Sequence, residues 1–104
     1  MGDLVNRLKQ PGIANQQADA EASITAMNCM VFLASDGERL ERFCNLSGML
    51  ENDLKINLAI PAFQGFVLDY LLQDETLLLE FAVLQQLKPE KIVALRRKLP
   101  GFAE

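Results

Sequence analysis

The chain has 104 residues, of which half are hydrophobic and 23% are charged, a composition typical of a single globular domain. Its net charge of −4 argues against a protein that mainly binds nucleic acid phosphates. Because it contains no histidine, the chain has no side chain that ordinarily titrates near neutral pH, and it lacks the commonest metal ligand.

The uncharged stretches of the sequence are too short to cross a membrane. The longest, residues 22–35, has fourteen residues, whereas a spanning helix needs about 20. The beginning of the chain lacks the apolar stretch and cleavage site of a signal peptide. We therefore predict no membrane association and a cytoplasmic location. Cys29 and Cys44 lie among apolar neighbours and are expected to be buried hydrophobic side chains.

Residues 1–18 are predicted to form a flexible arm. Residues 1–9 are long enough for one or two helical turns, which are marginally stable in water. Gln10-Pro11-Gly12 is expected to break this helix, and Asn15-Gln16-Gln17 has the composition of a linker. The ordered domain is therefore expected to comprise residues 19–104.

From Asp19 onward the spacing of apolar residues predicts helices, with no alternating strand pattern. The first predicted helix covers residues 19–34, with apolar side chains at three- and four-residue steps. They are Ile24, Met27, Met30, Val31 and Ala34. Asp36 is predicted to cap a second helix that ends at Gly48, and a short third helix covers residues 51–59.

Proline begins two of the three remaining helices. Pro61 opens the fourth, Asp74 caps the fifth over residues 75–86, and Pro89 opens the sixth. The second and fifth helices share one spacing of inward-facing residues. These are Leu40, Phe43, Cys44 and Leu46 in the second helix, and Leu77, Leu78, Phe81 and Leu84 in the fifth. The predicted fold is an all-α compact bundle of about six helices.

A shift of 38 residues aligns the two halves of the helical region. It superimposes Asp36 on Asp74 and, with one inserted residue, brings Pro61 over Pro100. Helical periodicity alone does not align caps and breakers, so an internal repeat of two three-helix units is predicted, packed with approximate two-fold symmetry. The repeated segments are about residues 30–63 and 68–102.

The two copies differ on the fifth helix. Leu79 and Val83 lie opposite the apolar side of this helix, yet their counterparts in the first unit are polar, Glu41 and Asn45. Two leucines of the fourth helix also lie off its main apolar stripe, either because that helix is buried on all sides or because they face a partner. The candidate protein interface comprises Leu68, Leu72, Leu79 and Val83.

Charge is distributed unevenly along the chain. Residues 19–87 hold eleven acidic and three basic side chains, whereas residues 88–104 have a balance of +3. The basic residues at this end are Lys88, Lys91, Arg96, Arg97 and Lys98. Cations in the last turn complement the helix dipole and need no ligand. The alternative function is binding of nucleic acid or an acidic partner through this basic patch.

No catalytic motif is present in the sequence. It has no glycine-rich phosphate loop, no nucleophile elbow and no zinc-protease motif. The paired carboxylates, Asp74 with Glu75 and Glu51 with Asp53, lie at predicted helix starts and act there as caps. We therefore predict a non-enzymatic protein with no catalytic, metal-binding or cofactor-binding residues and no small-molecule substrate. It is expected to bind a protein partner or a second copy of itself.

Several sequence blocks occur in combination. They include Pro61-Ala62-Phe63, Val67-Leu68-Asp69-Tyr70-Leu71-Leu72, Asp74-Glu75-Thr76-Leu77-Leu78-Leu79 and Leu99-Pro100-Gly101. With these blocks, about four fifths of the chain resembles an uncharacterised bacterial family catalogued as domain of unknown function 3572. Short helices of that family typically begin with Asp-Pro, where this chain has Leu50-Glu51 and Lys88-Pro89, so their capping is expected to differ. The resemblance implies a small bacterial helical protein and no assigned activity, cofactor or catalytic residue.

Overall fold

The computed structural model describes the backbone of residues 11–101 and the side chains of residues 20–101, and this part of the chain contains six α-helices and no strand. The helices are α1 (Pro11–Ala34), α2 (Gly37–Ser47), α3 (Glu51–Asn57), α4 (Pro61–Leu72), α5 (Glu75–Gln85) and α6 (Pro89–Arg96). The predicted all-α fold is confirmed. None of these six helices is both long enough and apolar enough to cross a membrane.

The first helix begins at Pro11, well before its predicted start at Asp19. The prediction that Pro11 and Gly12 break a helix is therefore wrong, and residues 11–18 are helical rather than a linker. Proline is tolerated in the first turn because the N–H groups of that turn have no acceptor within the helix. The rest of the predicted arm, residues 1–10, lies outside the described residues.

The buried side of α1 differs from the predicted one. Its core residues include Ala22, Ala26, Cys29 and Leu33, at steps of three and four residues. Ile24 and Val31, which were predicted to face the core, are exposed. Both stripes have helical spacing, so periodicity does not choose between them. The stripe with small side chains is buried because it allows close packing of α1 along α4 and α6.

Acidic N-caps and left-handed C-caps determine the ends of α2 and α5. Asp36 accepts hydrogen bonds from two backbone N–H groups of α2, and Asp74 accepts one from α5. Beyond the last turns, Gly48 has φ 73° and Gln86 has φ 56°, both in the left-handed region. These caps lie 38 residues apart, at the shift that aligns the sequence. The two-fold relation between the units stays a prediction.

The short helices α3 and α6 begin without a side-chain cap at Leu50 and Lys88. At α3, Asp53 compensates in part, because its Oδ2 accepts a hydrogen bond from the Leu50 N–H at 3.3 Å. At α6, Pro89 occupies the first turn and has no N–H to satisfy. The departure from Asp-Pro therefore changes the capping and leaves both helices in place.

Helix α4 is central to the bundle, since it packs against α1, α5 and α6. Phe43 of α2 lies against its aromatic residues, with ring centroids 6.2 Å from Phe63, 5.7 Å from Phe66 and 5.0 Å from Tyr70. The last of these pairs is edge-to-face, the arrangement that aromatic quadrupoles favour. These contacts hold α2 on the side of α4 that was predicted from its main stripe.

A buried glutamine links three segments of the chain. Gln64 of α4 is almost fully buried, and its Oε1 accepts a hydrogen bond from the Ser23 hydroxyl at 2.7 Å. Its Nε2 donates to the carbonyl oxygen of Leu58 at 2.8 Å. A buried amide without such partners would be costly, so these bonds determine how α1, α4 and the end of α3 meet.

A buried arginine joins α4 to the end of α6. The Arg96 side chain is only 2% exposed, and its Nε and Nη2 donate to Asp69 Oδ1 and Oδ2 at 2.6 and 3.0 Å. Its Nη1 donates to the carbonyl oxygens of Leu99 and Pro100 at 3.0 and 3.1 Å. The guanidinium thus binds a carboxylate in the bidentate geometry and satisfies two carbonyl groups just beyond α6.

Gly65 makes room for this guanidinium. A Cβ at this position would lie 2.9 Å from Cζ and Nη1 of Arg96 and 2.9 Å from the Pro100 carbonyl oxygen. The arginine is held by its hydrogen bonds and the oxygen belongs to the backbone, so neither moves away easily. Glycine inside a helix ordinarily costs about 1 kcal/mol relative to alanine. Here the close approach of Arg96 requires it.

The variant Gly65→Ala is therefore expected to lower the free energy of unfolding by about 1–3 kcal/mol, despite the higher helix propensity of alanine. Urea denaturation followed by circular dichroism measures this change. Gly37→Ala is the matched control, because a Cβ on the first residue of α2 has no neighbour within 4 Å. That control is expected to be neutral or stabilising by up to about 1 kcal/mol. A Gly65→Ala protein as stable as the wild type would contradict the close approach.

Candidate functional site

Two aliphatic residues of α5 project from the bundle. Leu77, Phe81 and Ala82 on the inner side of this helix are buried in the core. On the other side, Leu79 is 48% exposed and Val83 is 77% exposed. They are four residues apart and therefore lie next to each other, one helical turn apart. We refer to Leu79 and Val83 as the α5 outer face.

The two leucines of α4 do not belong to this surface. Leu68 is fully buried in the core, and Leu72 is partly buried and packs against it. The prediction that they contribute to an interface is corrected for Leu68 and is not supported for Leu72. The reason is the central position of α4, which is covered by α1, α5 and α6 on several sides. The candidate interface is thus reduced to the α5 outer face.

The positions 38 residues earlier are exposed as well. Glu41 and Asn45 of α2 lie on the surface of the bundle, as Leu79 and Val83 do. Polar side chains are therefore compatible with the packing at this position of the helix. It follows that the core does not require leucine and valine on the α5 outer face.

Two residues predicted to face the core are exposed instead. Leu46 of α2 and Leu84 of α5 lie 38 residues apart, and both are mostly exposed. Each follows an inward-facing position by about two turns, at the end of its helix. Helical spacing gives the direction of a side chain, but it does not tell how far the neighbouring helices extend alongside it.

An apolar groove lies between the end of α1, the beginning of α2 and α3. Its volume is about 280 Å³, and most of its lining is aliphatic. The apolar lining comprises Met30, Val31, Ala34, Leu40, Leu54 and Leu58. Glu51 and Lys55, on α3, add two charged side chains to its walls. We refer to this feature as the α1–α3 groove; it was not predicted from the sequence.

The sequence around the α1–α3 groove differs from that of the second unit in one informative way. Arg96 and Asp69 form the buried ion pair between α6 and α4. The residues 38 positions earlier are Leu58 and Val31, which cannot form an ion pair. The first unit thus has two aliphatic groove residues where the second has its buried ion pair.

The predicted basic patch is not a continuous surface. Arg96 is buried against Asp69, so its assignment to an exposed patch is wrong. Its guanidinium is directed inward because Gly65 leaves space for it. Lys91 is exposed and forms an ion pair with Glu21 at 2.9 Å. Lys88, Arg97 and Lys98 lie on the surface.

The acidic groups most suggestive of chemistry have structural partners. Asp36 and Asp74 cap helices, and Glu80 of α5 forms an ion pair with Arg39 of α2. Arg39 also lies over the Phe32 ring, with its Cζ 4.6 Å from the centroid. Among the described side chains, no three cysteine, aspartate or glutamate residues converge to hold a metal ion.

The two cysteines are free thiols in different surroundings. Cys44 is partly buried at the edge of the core, whereas Cys29 is completely buried on α1. Burial raises the pKa of the Cys29 thiol to about 12, because the thiolate would lose its hydration. Cys29 is therefore protonated and unreactive at neutral pH.

In the native protein at pH 8, a thiol reagent such as dithionitrobenzoate is expected to modify one cysteine rapidly and the second only after unfolding in guanidinium. The raised pKa and the burial of Cys29 both slow its reaction. The Cys44→Ala variant identifies the fast thiol, since it should lose the fast phase. Two equivalents reacting at one rate in the native state would contradict a buried Cys29.

Comparison with known proteins gives a single match. No curated protein and no solved structure shows significant similarity to the chain. The family described as protein of unknown function (DUF3572) matches residues 19–102. This range includes the α5 outer face and the α1–α3 groove, and it confirms the resemblance noted in the sequence. The chain therefore belongs to the DUF3572 family.

Proposed function

We propose that the protein is a non-enzymatic protein–protein interaction module, which associates with a second copy of itself or with a helical partner through the α5 outer face. The observation that carries this proposal is the exposure of Leu79 and Val83 on a helix whose opposite side already fills the core. A large aliphatic pair in water is unfavourable unless a partner covers it.

The comparison with α2 supports a role for this pair beyond the fold. Glu41 and Asn45 stand 38 residues earlier and are exposed, so the bundle accepts polar side chains there. Complete burial of a leucine or valine contributes about 1.5–3 kcal/mol. Because Leu79 is already half covered, the two residues together would contribute a few kcal/mol to association, which suits anchors at the centre of a larger contact.

The charge of the bundle favours a selective contact. Residues 19–87 hold eleven acidic and three basic side chains, so the surface repels acidic proteins and nucleic acid. An apolar contact is little weakened by salt, whereas binding to phosphates weakens steeply. The basic-patch alternative is less well supported, because Arg96 is buried and Lys91 pairs with Glu21.

The proposal also assigns the protein to the bacterial cytoplasm and to no catalytic reaction. Both cysteines are free thiols, as is usual in a reducing compartment. The capping roles of Asp36 and Asp74 explain these carboxylates without catalysis. The bacterial source is what the family resemblance implies.

The double variant Leu79→Glu/Val83→Asn gives α5 charged and polar side chains of the kind found at Glu41 and Asn45. We expect it to be monomeric or to lose its partner, with association weakened at least tenfold. Helicity and thermal midpoint should be retained, because both positions are exposed. Light scattering over a wide concentration range, at low and high salt, measures the mass of the wild type and the variant.

Leu84→Glu is the matched control, since it adds a charge at an exposed leucine of the same helix, about 100° around the axis from Val83. Association should persist in this control. A wild type that stays monomeric and captures no helical partner would refute the proposal. An unfolded double variant would show instead that the pair belongs to the core.

A further inference from the structure

The α1–α3 groove is an apolar surface that the α5 outer face does not explain. Val31 lines it and is mostly exposed, whereas Met30 and Leu54 form its buried floor. The groove ends at charged residues of α3, Glu51 and Lys55. An open apolar groove with a charged edge is the form of surface that receives a short amphipathic helix.

We propose that this groove binds residues 4–8 of a second copy of the chain. The inference rests on the proposed self-association, which brings two copies together. The segment lies outside the described residues, and its sequence is Leu4-Val5-Asn6-Arg7-Leu8, followed by Lys9. In a helical conformation Leu4 and Leu8 lie one turn apart, at the spacing of the anchors that fill such grooves.

Charge complementarity favours this occupant. Arg7 and Lys9 flank Leu8, and Glu51 lies in the wall of the groove. Residues 19–87 as a whole have a balance of −8, from eleven acidic and three basic side chains. A basic apolar segment is therefore attracted to this bundle, whereas a segment with the bundle's own acidic character is repelled.

The same copy cannot place its own segment there. Pro11 begins α1 and Met30 lines the groove, so the two residues are separated by about 28 Å along the helix axis. Leu8 precedes Pro11 by three residues, which span at most about 11 Å even when fully extended. Leu8 therefore reaches only the groove of another copy.

A segment of this length buries much less than the roughly 1,200–2,000 Å² of a stable interface. It therefore acts as a second contact between two copies that already meet through the α5 outer face. Once the first contact has formed, the second becomes intramolecular within the pair, and its effective concentration is high.

The test is the binding of a fluorescein-labelled peptide of residues 2–12, measured by fluorescence anisotropy. The receptor is the full-length chain with Leu4→Ser/Leu8→Ser, whose own segment does not compete. We expect saturable binding, and at least tenfold weaker binding when Val31→Glu is added. Ile24→Glu is the matched control, because Ile24 is an exposed aliphatic residue of α1 outside the groove. It should leave the affinity unchanged within twofold.

A second receptor variant, Ala34→Phe, fills the groove without adding charge and should also weaken binding at least tenfold. Leu79→Glu/Val83→Asn should bind the peptide unchanged, so a failure of the α5 contact is separable from a failure of the groove. No saturable binding, or equal binding to Val31→Glu and Ile24→Glu, would overturn the proposal. Loss of binding in the α5 variant would overturn it too, since the peptide would then occupy the outer face.

Contact between copies is tested in a mixture of isotopically labelled and unlabelled full-length protein that carries a photoreactive residue at position 8. Cross-links from this position to groove residues should join one labelled and one unlabelled chain. Cross-links confined to single chains would show that the segment folds back on its own copy, contrary to the reach of residues 8–11.

Discussion

The buried guanidinium of Arg96 is the interaction on which the geometry of the bundle most depends. It ties together α4 through Asp69, the end of α6, and the backbone of Leu99 and Pro100. A charge buried to this degree is tolerated only when its donors are paired, because removal of a partner leaves an uncompensated charge. The same contact requires glycine at position 65, since a Cβ there would touch the guanidinium and a carbonyl oxygen.

The candidate surfaces lie where the two halves of the helical region differ in sequence. In the second half the Arg96–Asp69 pair ties α6 to α4, and the corresponding Leu58 and Val31 of the first half line a groove. On the outer helices the difference is reversed, because α5 has exposed aliphatic residues where α2 has polar ones. Packing requirements are shared by both halves, so a difference between them at an exposed position is more informative than exposure alone.

The sequence predicted the helices and their caps well, because these depend on local chemistry. Asp36 and Asp74 act as N-caps, and Pro61 and Pro89 open helices, as expected. It predicted the buried side of α1 badly. That helix has apolar residues on most of its circumference, and the choice between its stripes depends on which one fits α4 and α6.

The same limit applies to the candidate sites. The α5 outer face was predicted because a second, polar copy of the position exists in the sequence for comparison. The inward direction of Arg96 and the burial of Leu68 depend on contacts between distant segments, which periodicity does not reveal. The α1–α3 groove had a signal in the replacement of an arginine–aspartate pair by leucine and valine. That signal has meaning only once Arg96 and Asp69 are known to touch.

Two small apolar contacts suit an acidic protein better than one large contact would. A large exposed apolar patch favours indiscriminate association, whereas Leu79 and Val83 alone supply only the anchors of an interface. Each copy has a net charge of −4, so two copies repel until short-range contacts outweigh the repulsion. Arg7 and Lys9 near the edge of the partner's groove would offset part of this repulsion where the surfaces meet. A pair joined in both ways is therefore selective, because a foreign helix that covers the α5 outer face lacks the second contact.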